Sequence, residues 1–171
     1  VLALGEAEVM VRARGYLSDL ADFGAIPVAV RGSTPILLRD VAPAERVHEL
    51  EFHYPIAHLG AAQLHDVCRR HDFAAGTFRE AVERLQFRPA EGWMRGFIDL
   101  VFRADGRWWL LDWKSNWLGD GPDAYGPDAL AATMAREAYW LQYLLYTVAV
   151  HRLLRQRLGD GYDYARDVGG A

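Results

Sequence analysis

The stretch covering residues 96–114, GFIDLVFRADGRWWLLDWK, constrains this chain more than any other. Two apolar runs, residues 97–102 and 108–113, are joined by Ala104-Asp105-Gly106-Arg107. Asp-Gly between such runs is the strongest short-range hairpin signal, because a type I′ turn needs positive φ at both central residues. With Asp105-Gly106 as a two-residue loop, Ala104 pairs with Arg107, and the same register sets Asp99 opposite Asp112. Directly opposed side chains share one face of a sheet, with Cβ atoms about 4.5–5.5 Å apart. Lys114 is two residues beyond Asp112 and falls on that face too. Apolar residues surround the three on both faces, as in a strand pair covered on both sides.

Two like charges opposed in such a place are destabilising unless a cation sits between them. Carboxylate oxygens suit a hard divalent metal. The plainer alternative is a half-exposed hairpin with two solvated aspartates and a surface lysine. That alternative leaves Trp108, Trp109, Leu110, Leu111 and Trp113 packed around charges with no evident gain.

Length and composition narrow the class. At 171 residues the chain fits one domain, long enough to bury a sizeable core. Apolar content of 51%, with 12% aromatic, excludes a disordered chain. A formal charge of −4 argues against a free-standing nucleic-acid binder held by bulk electrostatics. The single cysteine, Cys68, excludes a disulfide framework and an internal four-cysteine iron–sulfur cluster, and it suits a reducing compartment. The longest apolar stretch, residues 139–150, is too short to span a membrane and is broken by Gln142. No signal-peptide pattern opens the chain. A cytoplasmic protein without membrane contact is the expectation.

Taken in order, residues 1–20 suggest a short helix, and the absence of a start methionine suggests a piece of a longer protein. Residues 21–46, with Pro27, Pro35 and Pro43, read as an irregular connection or short strands. Residues 47–56 read as a strand ended by Pro55, with Val47, Glu49, Glu51 and His53 on one face and His48, Leu50, Phe52 and Tyr54 on the other. Glu51 would approach the aspartates if this strand bordered the hairpin; a solvent-facing glutamate is the plainer reading. Residues 61–71 form an amphipathic helix with Leu64, Val67 and Cys68 inward. His65, Cys68 and His71 recur every three residues, but one helix turns them apart and no second Cys or His pair completes a zinc spacing, so no zinc site is expected.

Residues 73–87 hold a loop and a short helix. Residues 115–127 make a surface loop rich in Gly, Asp and Pro, leaving the charged end of the second strand where substrate could be gripped. Within it Trp117 either stacks on a base or, more commonly for a loop tryptophan, plugs the loop onto the core. A helix begins at Asp128. Another, residues 139–158, is apolar nearly all round in its first half, which suits packing on the sheet; Arg152, Arg155 and Arg157 complement its dipole and Gly159 stops it. Gln142 and Tyr146 share a face of that helix with Tyr143 beside them. Core tyrosines with a peripheral glutamine would satisfy that pattern too. Residues 160–171 trail off without closing an element.

Asp99 followed thirteen residues later by Asp112-Trp113-Lys114 resembles the D…(D/E)xK signature of the PD-(D/E)XK nuclease superfamily. The strings GFIDLVF, LLDWKSNWLG and LQYLLYTVAVHRLL resemble the C-terminal nuclease domains of RecB-type helicase–nucleases (exonuclease V), and Gln142-Tyr143 with Tyr146 matches their Q-Y-x-x-Y motif. The similarity is clear from Val47 to Gly170 and poor over residues 1–46. A RecB-type upstream histidine motif, GTxxHxxFE, is missing, and the family continues past the final glycines into another strand. The resemblance therefore implies residues 47–171 as a nuclease domain truncated at both ends and lacking its last strand, with residues 1–46 a poorly matched segment.

The implied fold is α/β, a restriction-endonuclease-like mixed sheet flanked by helices. Asp99 and Asp112 would hold Mg²⁺, with the main-chain carbonyl of Trp113 as a further ligand. Mn²⁺ would substitute, and Ca²⁺ would bind without supporting cleavage. Lys114 would position or activate the attacking water; Gln142, Tyr143 and Tyr146 would support the site or contact the DNA backbone. The implied activity is Mg²⁺-dependent hydrolysis of DNA phosphodiester bonds in double-strand break repair and recombination. DNA, RecC-like and RecD-like subunits and a recombinase would be partners through the parent protein. A stand-alone nuclease without a helicase differs only in what precedes Val1. The alternative from another class is a docking module of the same fold, impaired in catalysis, that binds a recombinase or partner subunit.

Overall fold

The computed structural model describes residues 24–31, 34–71 and 77–170, and the short helix expected within residues 1–20 lies outside them. In chain order the elements are strands β1 (Pro27–Arg31), β2 (Thr34–Leu37) and β3 (Arg46–Leu59), and helices α1 (Ala61–Arg70) and α2 (Thr77–Arg84). Strands β4 (Ala90–Ala104) and β5 (Arg107–Leu111) follow, then helices α3 (Pro127–Arg136), α4 (Tyr139–Leu158) and α5 (Tyr164–Asp167), and strand β6 (Val168–Gly170). Strands β1 and β2 pair antiparallel by themselves, the short strands expected around Pro27 and Pro35. The other four form one sheet in the order β3-β4-β5-β6. Because β4 and β5 are antiparallel while β5 and β6 are parallel, the sheet is mixed and the chain is of the expected α/β class.

The hairpin is built as its turn chemistry dictates. Asp105 and Gly106 have φ of 52° and 78°, the left-handed conformation that a type I′ turn requires at both positions. Ala104 pairs with Arg107, Arg103 with Trp108, Phe102 with Trp109, Val101 with Leu110 and Leu100 with Leu111. Leu100, Val101 and Phe102 are consecutive and all buried, so both faces of β4 are covered there.

The described residues fall into two compact units. One takes those up to Glu51, then Phe97–Ser115 and those from Tyr146 on; the other takes Phe52–Gly96 and Asn116–Leu145. In the first, Ile26, Val28, Leu38 and Val41 pack with Leu100 and Phe102 of β4, and Trp109 and Leu111 of β5 join them. Each fully buried side chain of this size contributes about 1.5–3 kcal/mol. In the second, Cys68 of α1, Val82 of α2 and Trp140 of α4 form the core with Leu64, Leu85, Leu141 and Leu144. The first turns of α4 thus find partners on two helices, α1 and α2. Val67, expected inward, is 45% exposed; Leu64 and Cys68, one turn apart, define the buried stripe alone.

Pro55 does not end β3, which continues to Leu59. The strand stands at the end of the strand order, and an edge strand tolerates the missing N–H of a proline. From Leu50 on its alternation follows the sequence pattern, Leu50, Phe52 and Tyr54 being more buried than Glu49, Glu51 and His53, whereas His48, expected on the inner face, is exposed. Helix α4 ends at Gly159, which takes φ 57°.

The closing residues do form elements, contrary to the expectation for residues 160–171. Asp163 caps α5 by accepting the Arg166 N–H at 2.8 Å and donates its own N–H to Asp167 Oδ2 at 2.8 Å. Arg107 on β5 donates to the Ala165 carbonyl at 3.0 Å. The final glycines belong to a short strand, β6, which pairs Val168 with Trp108 and Gly170 with Trp109. Gly169 permits this, because a Cβ at that position would overlap the Trp109 indole. Gly169→Ala should destabilise the protein by about 1–3 kcal/mol, the usual cost of overpacking. Hydrogen exchange should speed up at Val168–Gly170; unchanged exchange there would contradict the close approach.

Candidate active site

Beyond Leu111 the hairpin stops pairing strand to strand. The ladder keeps the expected register and ends with Leu100 and Leu111, one pair short of Asp99 and Asp112, where a side-chain bridge takes over. The Trp113 N–H donates to Asp99 Oδ2 at 2.7 Å. An N–H donated to a carboxylate is roughly twice as strong as a neutral hydrogen bond, and this one ties the two chain segments where the ladder fails.

The Lys114 ammonium contacts Asp112 Oδ2, and the two side chains are 28% and 16% exposed. Burial pushes Lys114 below its ordinary pKa of 10.5, while the Asp99 carboxylate pulls in the opposite direction. Asp99, Asp112 and Lys114 are therefore brought together at the end of the hairpin, as the pairing register implied. Trp113 enters through its amide as well as through its place between Asp112 and Lys114.

Two carboxylates against one ammonium leave a net negative charge in a partly desolvated place. Among the described residues no three His, Cys, Asp or Glu side chains gather as a metal cluster. A cation held by this pair would complete its coordination with main-chain oxygen, water or a substrate phosphate. Mg²⁺ binds in this way, through one or two carboxylates and several waters. The donor set fits a hard divalent cation.

A family model described as the PD-(D/E)XK nuclease superfamily matches residues 35–168. The chain belongs to the PD-(D/E)XK nuclease superfamily. It is similar to the RecBCD enzyme subunit RecB of Escherichia coli, 43% identical over 148 residues, covering 85% of this chain and 12% of that protein. The same-named subunit of Haemophilus influenzae is 39% identical over 136 residues, 79% of this chain and 11% of that protein. That of Mycobacterium tuberculosis H37Rv is 33% identical over 150 residues, 79% of this chain and 14% of that protein. The chain thus spans little more than a tenth of the length of these relatives. PD-(D/E)XK nucleases generally use divalent metal ions, in keeping with the carboxylate pair.

The remaining candidates are distributed as follows. Gln142, Tyr143 and Tyr146 are half-buried on α4, the first two in the second unit and Tyr146 in the first with the aspartates. Glu51 lies on the exposed face of β3. Cys68 is a core residue. Trp117 does not plug the loop onto the core; it is 73% exposed. Its neighbours hold the loop instead. Tyr139 donates its hydroxyl proton to Asn116 Oδ1 at 2.9 Å, and the Leu118 N–H donates to the Tyr125 hydroxyl at 3.2 Å.

These loop anchors escaped the sequence reading, since nothing local pairs Asn116 with a tyrosine twenty-three residues away. A second signal was available and more telling. Lys114 is the only lysine in the chain, against 18 arginines. Arginine holds its proton at any working pH, whereas a lysine ammonium shifts its pKa readily when buried. The one lysine in the chain is the one beside the carboxylates.

Burial lowers the Lys114 pKa, so the neutral amine should appear at lower pH than in a free lysine. Labelling of Lys114 by an amine reagent, followed by mass spectrometry, should show a midpoint below 10.5 in the folded protein. Asp99→Asn should move it lower still, because the carboxylate that opposes the shift is gone. A midpoint at or above 10.5 in the folded protein would contradict this electrostatic picture.

Proposed function

We propose that this chain is the Mg²⁺-dependent DNA nuclease domain of a RecB-like helicase–nuclease, hydrolysing phosphodiester bonds during double-strand break repair and recombination. The observation that carries the reading is the joint placement of Asp99, Asp112 and Lys114, through the Asp99–Trp113 bond and the Asp112–Lys114 contact. It is supported by membership of a nuclease superfamily.

Asp99 and Asp112 hold the cation, with the Trp113 main-chain carbonyl as a further oxygen; Mn²⁺ substitutes, and Ca²⁺ binds without supporting cleavage. The bound cation supplies neutralisation of phosphate charge and a lowered pKa for a nearby water. The work of the protein itself is positioning and charge placement. Lys114 directs its ammonium at the attacking water or a non-bridging phosphate oxygen and offsets the charge that develops as the new P–O bond forms. Its partly buried state makes proton exchange with that water easier than for a surface lysine. Gln142, Tyr143 and Tyr146 steady the site or touch the DNA backbone.

A formal charge of −4 gives little general attraction for DNA. RecC-like and RecD-like subunits, feeding a strand to this domain, make such attraction unnecessary, and a recombinase receives the product strand.

The full-length protein with Mg²⁺ should cleave single-stranded DNA, and Asp112→Ala should abolish cleavage. Lys114→Arg keeps the charge but not the releasable proton, and should lower the rate about 10²–10⁴-fold. Persistent cleavage in Asp112→Ala, or none in the unsubstituted protein, overturns the assignment.

A further inference from the structure

The loop that follows Lys114 carries one large aromatic side chain out into solvent. Trp117 is 73% exposed and lies three residues beyond Lys114. Three trans peptide units keep the two Cα atoms within about 11 Å of each other. The residues on either side of Trp117 are both fastened. Asn116 Oδ1 accepts the Tyr139 hydroxyl proton at 2.9 Å, and the Leu118 N–H donates to the Tyr125 hydroxyl at 3.2 Å. Gly119 comes so near Ala124 that a Cβ at Gly119 would lie 2.6 Å from the Ala124 Cβ. The loop is thus closed on itself, and the indole is presented from a fixed backbone.

An aromatic side chain covers about 150–250 Å² when it is buried. For Trp117 most of that gain is left to a ligand. The loop limits what the ligand can be. Residues 115–127 contain two aspartates and no lysine or arginine, so they offer a phosphate no cation. In sequence Trp117 is flanked by Ser115, Asn116, Gly119 and Asp120, with Leu118 half-buried. Those neighbours make no apolar patch of the kind that surrounds an anchor residue in a protein interface. What remains is the flat π-face of the indole, the contact through which aromatic side chains hold unpaired bases without regard to sequence. A base in a duplex has both faces covered by its neighbours and cannot offer one without unstacking. We infer that Trp117 stacks on an unpaired base of the strand being cut, a grip on single-stranded DNA that needs no positive charge.

This inference rests on the nuclease reading, and the experiment separates the two. The full-length protein would be titrated into a fluorescein-labelled single-stranded oligonucleotide with Ca²⁺, followed by anisotropy, and its cleavage kinetics measured with Mg²⁺. Trp117→Leu keeps apolar bulk without a π-face. It should weaken binding and raise KM about tenfold, equivalent to 1.4 kcal/mol, with kcat little changed, and Trp117→Phe should restore both. One abasic residue moved along the oligonucleotide should, at one position, weaken binding by the unsubstituted protein and add nothing in Trp117→Leu. Trp93→Leu removes an indole that is 75% exposed and should bind as the unsubstituted protein does.

Unchanged affinity in Trp117→Leu, an equal loss in Trp93→Leu, or the same abasic penalties in both proteins overturns the stacking role and leaves the nuclease reading intact. Loss of a partner subunit from Trp117→Leu, with DNA affinity unchanged, would assign the ring to a protein interface instead. No cleavage by the unsubstituted protein, with Trp117-dependent binding preserved, overturns the nuclease reading alone. Circular dichroism of Trp117→Leu should match the unsubstituted protein; loss of fold would make the ring structural and overturn a role confined to substrate.

Discussion

Positive φ at two consecutive residues, Asp105 and Gly106, sets the register from which the rest of the hairpin follows. Because strand side chains alternate, a slip of one residue would turn every side chain of β5 to the other face. Trp109 and Leu111, now packed with the first unit's core, would change places with Trp108 and Leu110, and Asp112 and Lys114 would together leave the side that carries Asp99. The turn is thus coupled to the core and to the site through the same ladder. Five consecutive pairs keep that register without a bulge, which leaves the carboxylates only one position of freedom beyond the last pair.

That last position is where side-chain chemistry takes over from strand pairing. Asp99 could have faced Asp112 across an extended ladder, with like charges directly opposed, a destabilising arrangement. Instead its carboxylate accepts the Trp113 N–H, and Lys114 turns to Asp112. Each negative group thus has a polar partner, yet the cluster keeps excess negative charge in a place partly shielded from water. On the proposed function such a cluster would be held for a cation at some cost to the fold, the usual condition of a functional site that breaks a local rule.

What could be read from the sequence was what local chemistry decides. Asp105-Gly106 names its own turn, Gly159 its own helix stop, and the polar–apolar alternation of residues 47–54 its own faces. The grouping of Asp99, Asp112 and Lys114 followed from that turn alone. What could not be read depended on partners distant in sequence. Beyond the end of β5 at Leu111, the Trp113 N–H is taken by a carboxylate on another strand. The exposure of Trp117 is set by bonds from Tyr125 and Tyr139 that hold the loop around it. Strand β6 is three residues with no periodicity, admitted by the fit of Gly169 against Trp109. Pro55 reads locally as a terminator, and its tolerance depends on where its strand stands in the sheet.

The central claim is that Asp99 and Asp112 together form one divalent-cation site. Titration calorimetry of the protein with Mn²⁺ and with Mg²⁺ tests it most directly. One site should be seen, lost in both Asp99→Asn and Asp112→Asn, with each variant retaining the wild-type circular dichroism spectrum. Binding that survives either substitution undiminished, in folded protein, would contradict the account.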